Sequence, residues 1–194
     1  MKQIKFATGN KGKIEEMEPP FTDNDLELSQ VDVDVPEIDA MDVEIVAKRK
    51  VIDSFEKAVE QNMIESDELM IVEDTGFYVE SLGGFPGAEA AFFSRTAGVE
   101  NLLPMMENET DRKAYFKTAI AVYMPEEDRV KTFTGKMTGE VPEIKKGESN
   151  PYLPYNSYFV PDHGDGESLA ENQDLKNEEM HRRKAVMKFI EWIS

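Results

Sequence analysis

The sequence predicts an α/β domain, on three observations. Short apolar runs of strand character alternate along the chain with stretches whose apolar residues recur at helical spacing. The first run, Ile4 to Ala7, breaks into Thr8-Gly9-Asn10-Lys11-Gly12-Lys13, the pattern of a strand passing through a glycine-bearing loop into a helix. A length of 194 residues, 40% of them hydrophobic, suits one domain that buries roughly 70% of the surface its unfolded form exposes.

Taken in order, Lys2–Thr8 reads as a buried first strand. Lys13–Met17 opens a helix that Pro19-Pro20 should cut short, because proline lacks the N–H donor and its ring clashes with the preceding turn. Leu26–Val35 alternates as a strand, and Met41–Met63 carries Ile45, Ile52, Phe55 and Val59 along one face of a long amphipathic helix. Leu69–Val72 is a short apolar strand ending at Glu73-Asp74-Thr75-Gly76. Phe77–Leu82 is a separate strand, closed by the turn Gly83-Gly84-Phe85-Pro86-Gly87. Val99–Met106 reads as a helix despite Pro104. Ala114–Met124 and Val130–Val141 are long neighbouring strands, expected to be antiparallel. Glu143–Pro154 is loop, Ser157–Val160 a short strand, and Asp174–Ile193 a closing helix with Met180, Val186, Met187, Ile190 and Ile193 toward the core. No internal repeat or low-complexity linker divides the chain, so residues 1–194 are taken as a single domain.

Forty acidic residues against 22 basic ones give a net charge of −18. A nucleic-acid footprint needs a basic face, so that partner is not expected. No run approaches the ~20 apolar residues of a membrane span, and the N-terminus enters a strand-like segment directly, without a signal-peptide pattern. The absence of cysteine excludes disulfides, thiol chemistry and thiolate zinc sites. A cytoplasmic protein is the expectation. Adaptation to high salt is one reading of the acidity, against which the lysine content weighs. The bulk charge repels anionic ligands at long range, but salt screens it within roughly 10 Å, so a cleft can still be locally positive.

Four constellations carry candidate chemistry. At the opening loop, the N–H groups of a helix start favour negative charge, Gly9 and Gly12 admit close approach, Asn10 offers donor and acceptor, and Lys13 adds a point charge. The Gly-x-x-x-x-Gly-Lys-Ser/Thr spacing of the nucleotide-binding P-loop is absent. Read alone, the stretch serves equally as an ordinary βα turn. The second constellation is "IVEDTG", Ile71 to Gly76. Adjacent carboxylates at the end of a buried strand need solvent, a partner or a metal, and successive strand side chains face opposite sides. Glu73 and Asp74 therefore do not share one site unless the backbone bends there, and if one of them is a metal ligand the other needs a different partner, such as Lys48 or a helix start. Asp74 with Glu37 of "VPEIDA" is the preferred magnesium pair, since that ion commonly takes one or two carboxylates plus substrate phosphates. A turn-forming aspartate is the other reading of Asp74. Third, "AKRK", Ala47 to Lys50, places Lys48 one turn from Ile52, at the core edge and in reach of a cleft; a solvated helix face is the alternative. Fourth, "LKNEEMHRRKA", Leu175 to Ala185, gathers Lys176, His181, Arg182, Arg183 and Lys184 near the last helix. Arginine there offers a forked donor for phosphate or a plane for a base, unless the cluster only balances an acidic surface. His181 is one of only two histidines.

These stretches, in this order, resemble the inosine/xanthosine triphosphate pyrophosphatases across almost the whole chain. "FATGNKGKIEE" resembles that family's Ala-Thr-Gly-Asn-x-x-Lys-x-x-Glu opening. "VPEIDA", with the helix bearing Lys48, resembles its next block. "VEDTGFYVESLGGFPGAEAAFF" resembles its most distinctive stretch, "AYFKTAIAVY" and "FTGKMTGEV" its paired long strands, and "LAEN" with "LKNEEMHRRKA" its closing motifs. The resemblance implies an α/β fold of two lobes, a mixed sheet flanked by helices with a central cleft, and usually a homodimer. It implies Mg²⁺-dependent hydrolysis of a non-standard purine nucleoside triphosphate to the monophosphate and pyrophosphate. By the same resemblance, Thr8, Gly9, Asn10, Lys11, Gly12 and Lys13 hold phosphates, and Glu37 and Asp74 carry magnesium. Asp74 also orients or deprotonates the attacking water. Lys13 and Lys48 neutralise phosphoryl charge, and Thr75 counts among the substrate contacts. Lys176, His181 and Arg182 address the base and its sugar or phosphates, and a donor-lined pocket selects a 6-keto oxygen over adenine's amino group.

Three departures stand out. The family's glycine-rich aromatic stretch reads "NPYLPYNSYFVP" here, so Leu153 takes the place of a stacking aromatic and Asn156 that of an aspartate, with Tyr152 or Tyr155 as substitute stacking partners. Met180 replaces the serine before His-Arg, and Pro19-Pro20 interrupts a helix that normally continues. Two further readings accompany the leading one: a relative with shifted base specificity, and a non-catalytic nucleotide-binding protein. The altered "PYLPYNSYF" stretch favours the former of these, and the presence of Glu37, Asp74, Lys13 and Lys48 argues against the latter.

Overall fold

A computed structural model describes residues 2–36, 38–172 and 180–194. Its sheet is built from β1 (Lys2–Ala7), β2 (Leu26–Val31), β3 (Met70–Val79), β4 (Pro86–Gly87), β5 (Lys113–Met124), β6 (Arg129–Glu140) and β7 (Val160–Pro161). The strand order is β2-β1-β3-β5-β6-β7, with β4 pairing β3. β1 runs parallel to β2 and β3, whereas the β3–β5–β6–β7 ladder is antiparallel. The sheet is therefore mixed. The helices are α1 (Lys11–Thr22), α2 (Val43–Glu60), the short α3 (Ala90–Thr96) and α4 (Leu102–Met105), and α5 (His181–Ile193).

The alternation of β3 sorts the packing. Met70, Val72 and Tyr78 point to one face, where Val43, Ala47, Val51, Phe55 and Ala58 of α2 cover them. Ile71, Phe77 and Val79 point to the other, and there the core falls into two parts. Around Ile71 and Ile120 lie Met17 and Phe21 of α1 with Phe189 and Ile190 of α5. Around Phe77 and Phe116 lie Phe93 of α3, Leu102 of α4, Tyr155 and Phe159. Between the two parts, in register across β3 and β5, stand Thr75 and Thr118. A polar seam thus divides one face of an otherwise continuous sheet.

Several expectations change. α1 is not cut at Pro19-Pro20 but continues to Thr22. Burial of Met17 and Phe21, both fully inside, outweighs the lost helical bonds, and the carbonyls deprived of donors belong to the exposed Glu15 and Glu16, where water serves them. The strands expected at Leu69–Val72 and Phe77–Leu82 are one, because "EDTG" keeps unbroken register with β5 from Met70–Tyr123 to Val79–Ala114. β2 ends at Val31, Val99–Met106 splits into two short turns of helix, and Asn156–Tyr158 is helical before the two-residue β7. In α5, Val186 and Ile190 are buried as expected, but Met187 is exposed and Ala185 and Phe189 take the inward positions. The sequence before His181, at 173–179, lies outside the described residues, as do Met1 and Glu37. Among the described residues no helix is long and apolar enough to cross a membrane.

Phe189 joins α5 to α1, stacking on Phe21 at 5.7 Å and meeting Phe133 edge-on at 5.6 Å. Phe189→Ala should cost about 3–5 kcal/mol of folding free energy, read from the shift of the urea midpoint; a loss within experimental error would remove α5 from the core.

Candidate active site

Topology decides where a ligand can bind. From β1 the chain leaves along one face as α1, and from β2 it returns along the other as α2. The crevice outside the carboxyl ends of the strands, where the connections diverge, is the usual ligand site of such sheets. Here the crevice is widened into a notch. β1 is in register with β3 only at Lys5–Met70 and Phe6–Ile71, and β4 pairs with β3 only at Phe77–Gly87 and Tyr78–Pro86. Residues 73–76 of β3 therefore present an edge with no strand beside it on that side.

The loop after β1 delivers α1 into the notch. Asn10, extended and just outside the helix, accepts from the N–H of Gly12 at 2.9 Å and of Lys13 at 3.4 Å, and its own N–H donates to Thr8 Oγ1 at 3.1 Å. This cap fixes the first turn and aims Lys13 across the gap. Lys13 Nζ donates to the Glu73 carbonyl at 3.1 Å and stands 2.5 Å from Glu73 Oε2, a charge contact without hydrogen-bond alignment. From the opposite end of the chain, Arg182 in the first turn of α5 donates through Nε to Glu73 Oε1 at 3.1 Å and through a terminal nitrogen to Glu16. Glu73 is 2% exposed. Burial alone pushes its carboxyl toward the neutral form, but the charges of Lys13 and Arg182 win and hold it well below the usual carboxylate range.

A line of short contacts leads from Glu73 along the seam. Thr75 Oγ1 lies 2.5 Å from Glu73 Oε1 and 2.6 Å from Thr118 Oγ1, which lies 2.6 Å from His181 Nδ1. His181 stacks on Phe116 at 5.0 Å. α5 can rest here because β6 carries Gly135 beneath its first turn, where an added Cβ would collide with the His181 carbonyl.

The other face holds Asp74, half-buried on the same side as Tyr78. Tyr78 accepts from the Val43 N–H at 3.0 Å, which ties the start of α2 to β3. Asp42 caps α2 by accepting from Glu44 N–H at 2.9 Å and pairs with Lys117 at 2.8 Å. Glu44 pairs with Lys48 at 3.0 Å and accepts from Thr132 at 2.7 Å. Against a smaller opposing effect, that Thr132 bond and the Lys48 charge lower the Glu44 carboxyl. Lys117 sits opposite Gly76 in the ladder, hence two residues from Asp74 on the same face. An anion entering the notch would meet a carboxylate flanked by lysines on this side and Lys13 on the other.

Of the residues singled out from sequence, Thr8, Gly9, Asn10, Gly12, Lys13, Asp74, Thr75, His181 and Arg182 come together at the notch. Lys48 stands on the exposed face of α2 beside Glu44. Lys11 is described by its backbone only, and Glu37 and Lys176 lie outside the described residues. Leu153 and Asn156 lie on the irregular segment before β7, with Leu153 exposed and Asn156 half-buried. Tyr155 departs from expectation. It is 6% exposed, its hydroxyl donates to the Ala90 carbonyl at 2.7 Å, and its ring packs on Phe77 at 4.8 Å. It is a core residue with no free ring face, and Tyr152, 90% exposed, is the aromatic the segment leaves available. Sequence reasoning missed Glu16, Lys117, Thr118 and Gly135. The period of β5 alone would have set Lys117 and Thr118 on opposite faces beside Asp74 and Thr75; nothing local marked Gly135.

Magnesium commonly takes one or two protein carboxylates, the rest of its shell being water and phosphate oxygen. Among the described residues no three metal-ligating side chains converge, and Asp74, a hard oxygen donor at an open edge, fits the smaller donor set.

Known proteins are similar to this chain in sequence and fold. The Ham1 family profile matches residues 4–192. A Methanopyrus kandleri protein described as a dITP/XTP pyrophosphatase is 34% identical over 194 residues, covering 98% of this chain and 95% of its own. A Pyrococcus horikoshii protein of the same description is 32% identical, with coverages of 98% and 96%. The Staphylococcus aureus Ham1 protein superposes with a TM-score of 0.76 at 27% identity, covering 99% of this chain and 98% of that one. A HAM1 protein from Coxiella burnetii reaches 0.81 at 22% identity, covering 100% and 98%, and speaks for the fold alone.

The seam makes a pH prediction. Burial first, and the Arg182 charge second, bring His181 down to about 3 from an ordinary 6.5. Because the folded value lies below the unfolded one, the stability His181 contributes is present above 6.5 and is lost as the pH falls from there toward 3. Its ring resonances should stay constant from about pH 8 down to about pH 5; a titration near the ordinary histidine value would contradict the burial.

Proposed function

This chain belongs to the Ham1 family, and from that membership we propose that it hydrolyses non-standard purine nucleoside triphosphates, such as those of inosine, deoxyinosine and xanthosine, to the monophosphate and pyrophosphate. Its service is then the cleansing of the nucleotide pool. One observation carries the reading: the opening and closing motifs, 169 residues apart from Lys13 to Arg182, meet on Glu73 at an open sheet edge whose next residue is Asp74. The names of the relatives supply the substrate class.

In the proposed reaction the triphosphate lies in the notch, against the N-terminal turn of α1. Lys13 Nζ has three donor hydrogens and spends two directions on Glu73; the third faces phosphate oxygen. Asp74 orients a water and takes its proton as the oxygen attacks phosphorus and the anhydride bond between the α and β phosphates breaks. Lys48, with Lys117 beside it, offsets the charge gathering on the departing pyrophosphate. A magnesium ion held by Asp74, with Glu37 as its second carboxylate, would supply further positive charge to the phosphates. Arg182, His181 and Lys176 face the base and sugar. Thr8, Gly9, Asn10, Lys11, Gly12 and Thr75 line the phosphate side, and Leu153 and Asn156 the base side. A homodimer in the cytoplasm completes the reading. The acidic surface supports the exclusion of nucleic acid.

The segment before β7 favours a second reading, shifted base preference. With Tyr155 consumed by the core and Leu153 in place of an aromatic, Tyr152 is left to stack.

Pyrophosphate release with Mg²⁺ should be fastest from inosine and xanthosine triphosphates among the four purine substrates that include guanosine and adenosine. Preference for another base supports the second reading, and absence of turnover with every one contradicts both. Asp74→Asn should lower kcat by about 10²–10⁴ with an unchanged circular dichroism spectrum; near-normal turnover would sink the assignment of Asp74.

A further inference from the structure

The seam contains more contacts than it has hydroxyl hydrogens, and the shortage fixes the state of the His181 ring at its far end. Three contacts connect Glu73 to His181: Oε1 to Thr75 Oγ1 at 2.5 Å, Thr75 Oγ1 to Thr118 Oγ1 at 2.6 Å, and Thr118 Oγ1 to His181 Nδ1 at 2.6 Å. Each separation is that of a hydrogen bond and needs one proton between its atoms. Two threonines bring two. Glu73, held by Lys13 and Arg182, is an ionised carboxylate and only accepts. Thr75 must donate to it. The Thr75–Thr118 contact then has only the Thr118 hydrogen, and Thr118 is left as an acceptor toward the ring. The third proton has to come from Nδ1.

We propose that this relay locks His181 as the Nδ1–H tautomer, with Nε2 as a hydrogen-bond acceptor, and that Thr118 is therefore a specificity-determining positioning residue. The burial that keeps the ring neutral supports the same state. The consequence for recognition rests on the nucleotide reading given above. His181 in this tautomer cannot donate to a 6-keto oxygen. It takes a donor instead, and the donor beside that oxygen in a 6-keto purine is the ring N1–H. Arg182, the next residue, is donor-only. A donor and an acceptor on consecutive residues match the keto-oxygen and N1–H pair, and mismatch adenine, where amine and bare N1 reverse the order. The fixed direction of the relay traces back to the Glu73 charge, so the lysine of the phosphate side and the histidine of the base side share one network.

Nitrogen-15 correlation spectra of histidine-labelled protein, without nucleotide, test the relay directly. The wild type should show the Nδ1–H pattern for His181. Thr118→Val should convert it wholly or partly to Nε2–H, and Thr118→Ser, which keeps the hydroxyl, should restore it. An Nε2–H pattern in the wild type, or an unchanged Nδ1–H pattern in Thr118→Val, overturns the proposal; the wild-type spectrum decides even if the valine variant fails to fold. In turnover, Thr118→Val should reduce the inosine-over-adenosine triphosphate ratio of kcat/KM by about tenfold, the scale of one hydrogen bond, with Thr118→Ser near the wild-type ratio. An unchanged ratio contradicts the role in specificity. Wild-type protein that shows Nδ1–H but cleaves no nucleoside triphosphate removes the nucleotide reading while upholding the relay.

Discussion

A carboxylate with almost no access to water organises this molecule. Burying Glu73 without partners would cost several kcal/mol, and the neighbours that offset the cost come from distant parts of the chain: Lys13 from the start of α1 and Arg182 from the start of α5. Each helix has to begin at the notch for its cation to reach. The Asn10 cap sets the first, and the absence of a side chain at Gly135 admits the second. The polar seam that follows from Glu73 through Thr75 and Thr118 keeps the two apolar cores of that face apart. The same interaction that secures the fold thus divides that face of the sheet into two apolar parts.

The charge distribution follows a similar logic. A net −18 over the molecule does not prevent Lys13 and Arg182 from converging at one sheet edge. Lys13 and Arg182 on one face, Lys48 and Lys117 on the other, are each balanced by carboxylates. These pairs hold the lysine and arginine heads in place, which would lower the ordering cost of the proposed phosphate binding. The alternation of a single strand separates the adjacent acids: Glu73 is held by Lys13 and Arg182 on one face, and Asp74, half-buried, points to the other.

Much of this was legible in the sequence, and what was not has definite causes. The first strand, the glycine-bearing loop and the existence of the long helix are local patterns legible from periodicity, but Ile45, expected on that helix's apolar face, is exposed, and Val43, Val46, Ala47 and Val51 turn inward with Phe55. The opposite orientations of Glu73 and Asp74 followed from strand geometry. Pro19-Pro20 misled because local propensity took no account of Met17 and Phe21, whose burial holds α1 together past the prolines. "EDTG" looked like the end of a strand because a buried strand seldom carries two acids; the cations that make it tolerable lie 60 residues before and 109 after Glu73. From sequence alone Tyr155 serves as well as Tyr152 for a substitute stacking partner, because nothing local foretells the hydroxyl bond to Ala90 or the Phe77 ring against it. Thr118 drew no notice, as a threonine in a strand is ordinary until its cross-strand partner is known.

The claim on which the rest hangs is that Lys13 and Glu73 depend on each other for burial. A double-mutant cycle in folding free energy with Lys13→Met and Glu73→Gln measures it. Each single variant strands a charge, so the two separate losses should exceed the loss in the double variant by about 1–3 kcal/mol. Additive losses would mean that Glu73 is not held by Lys13, and would contradict the account.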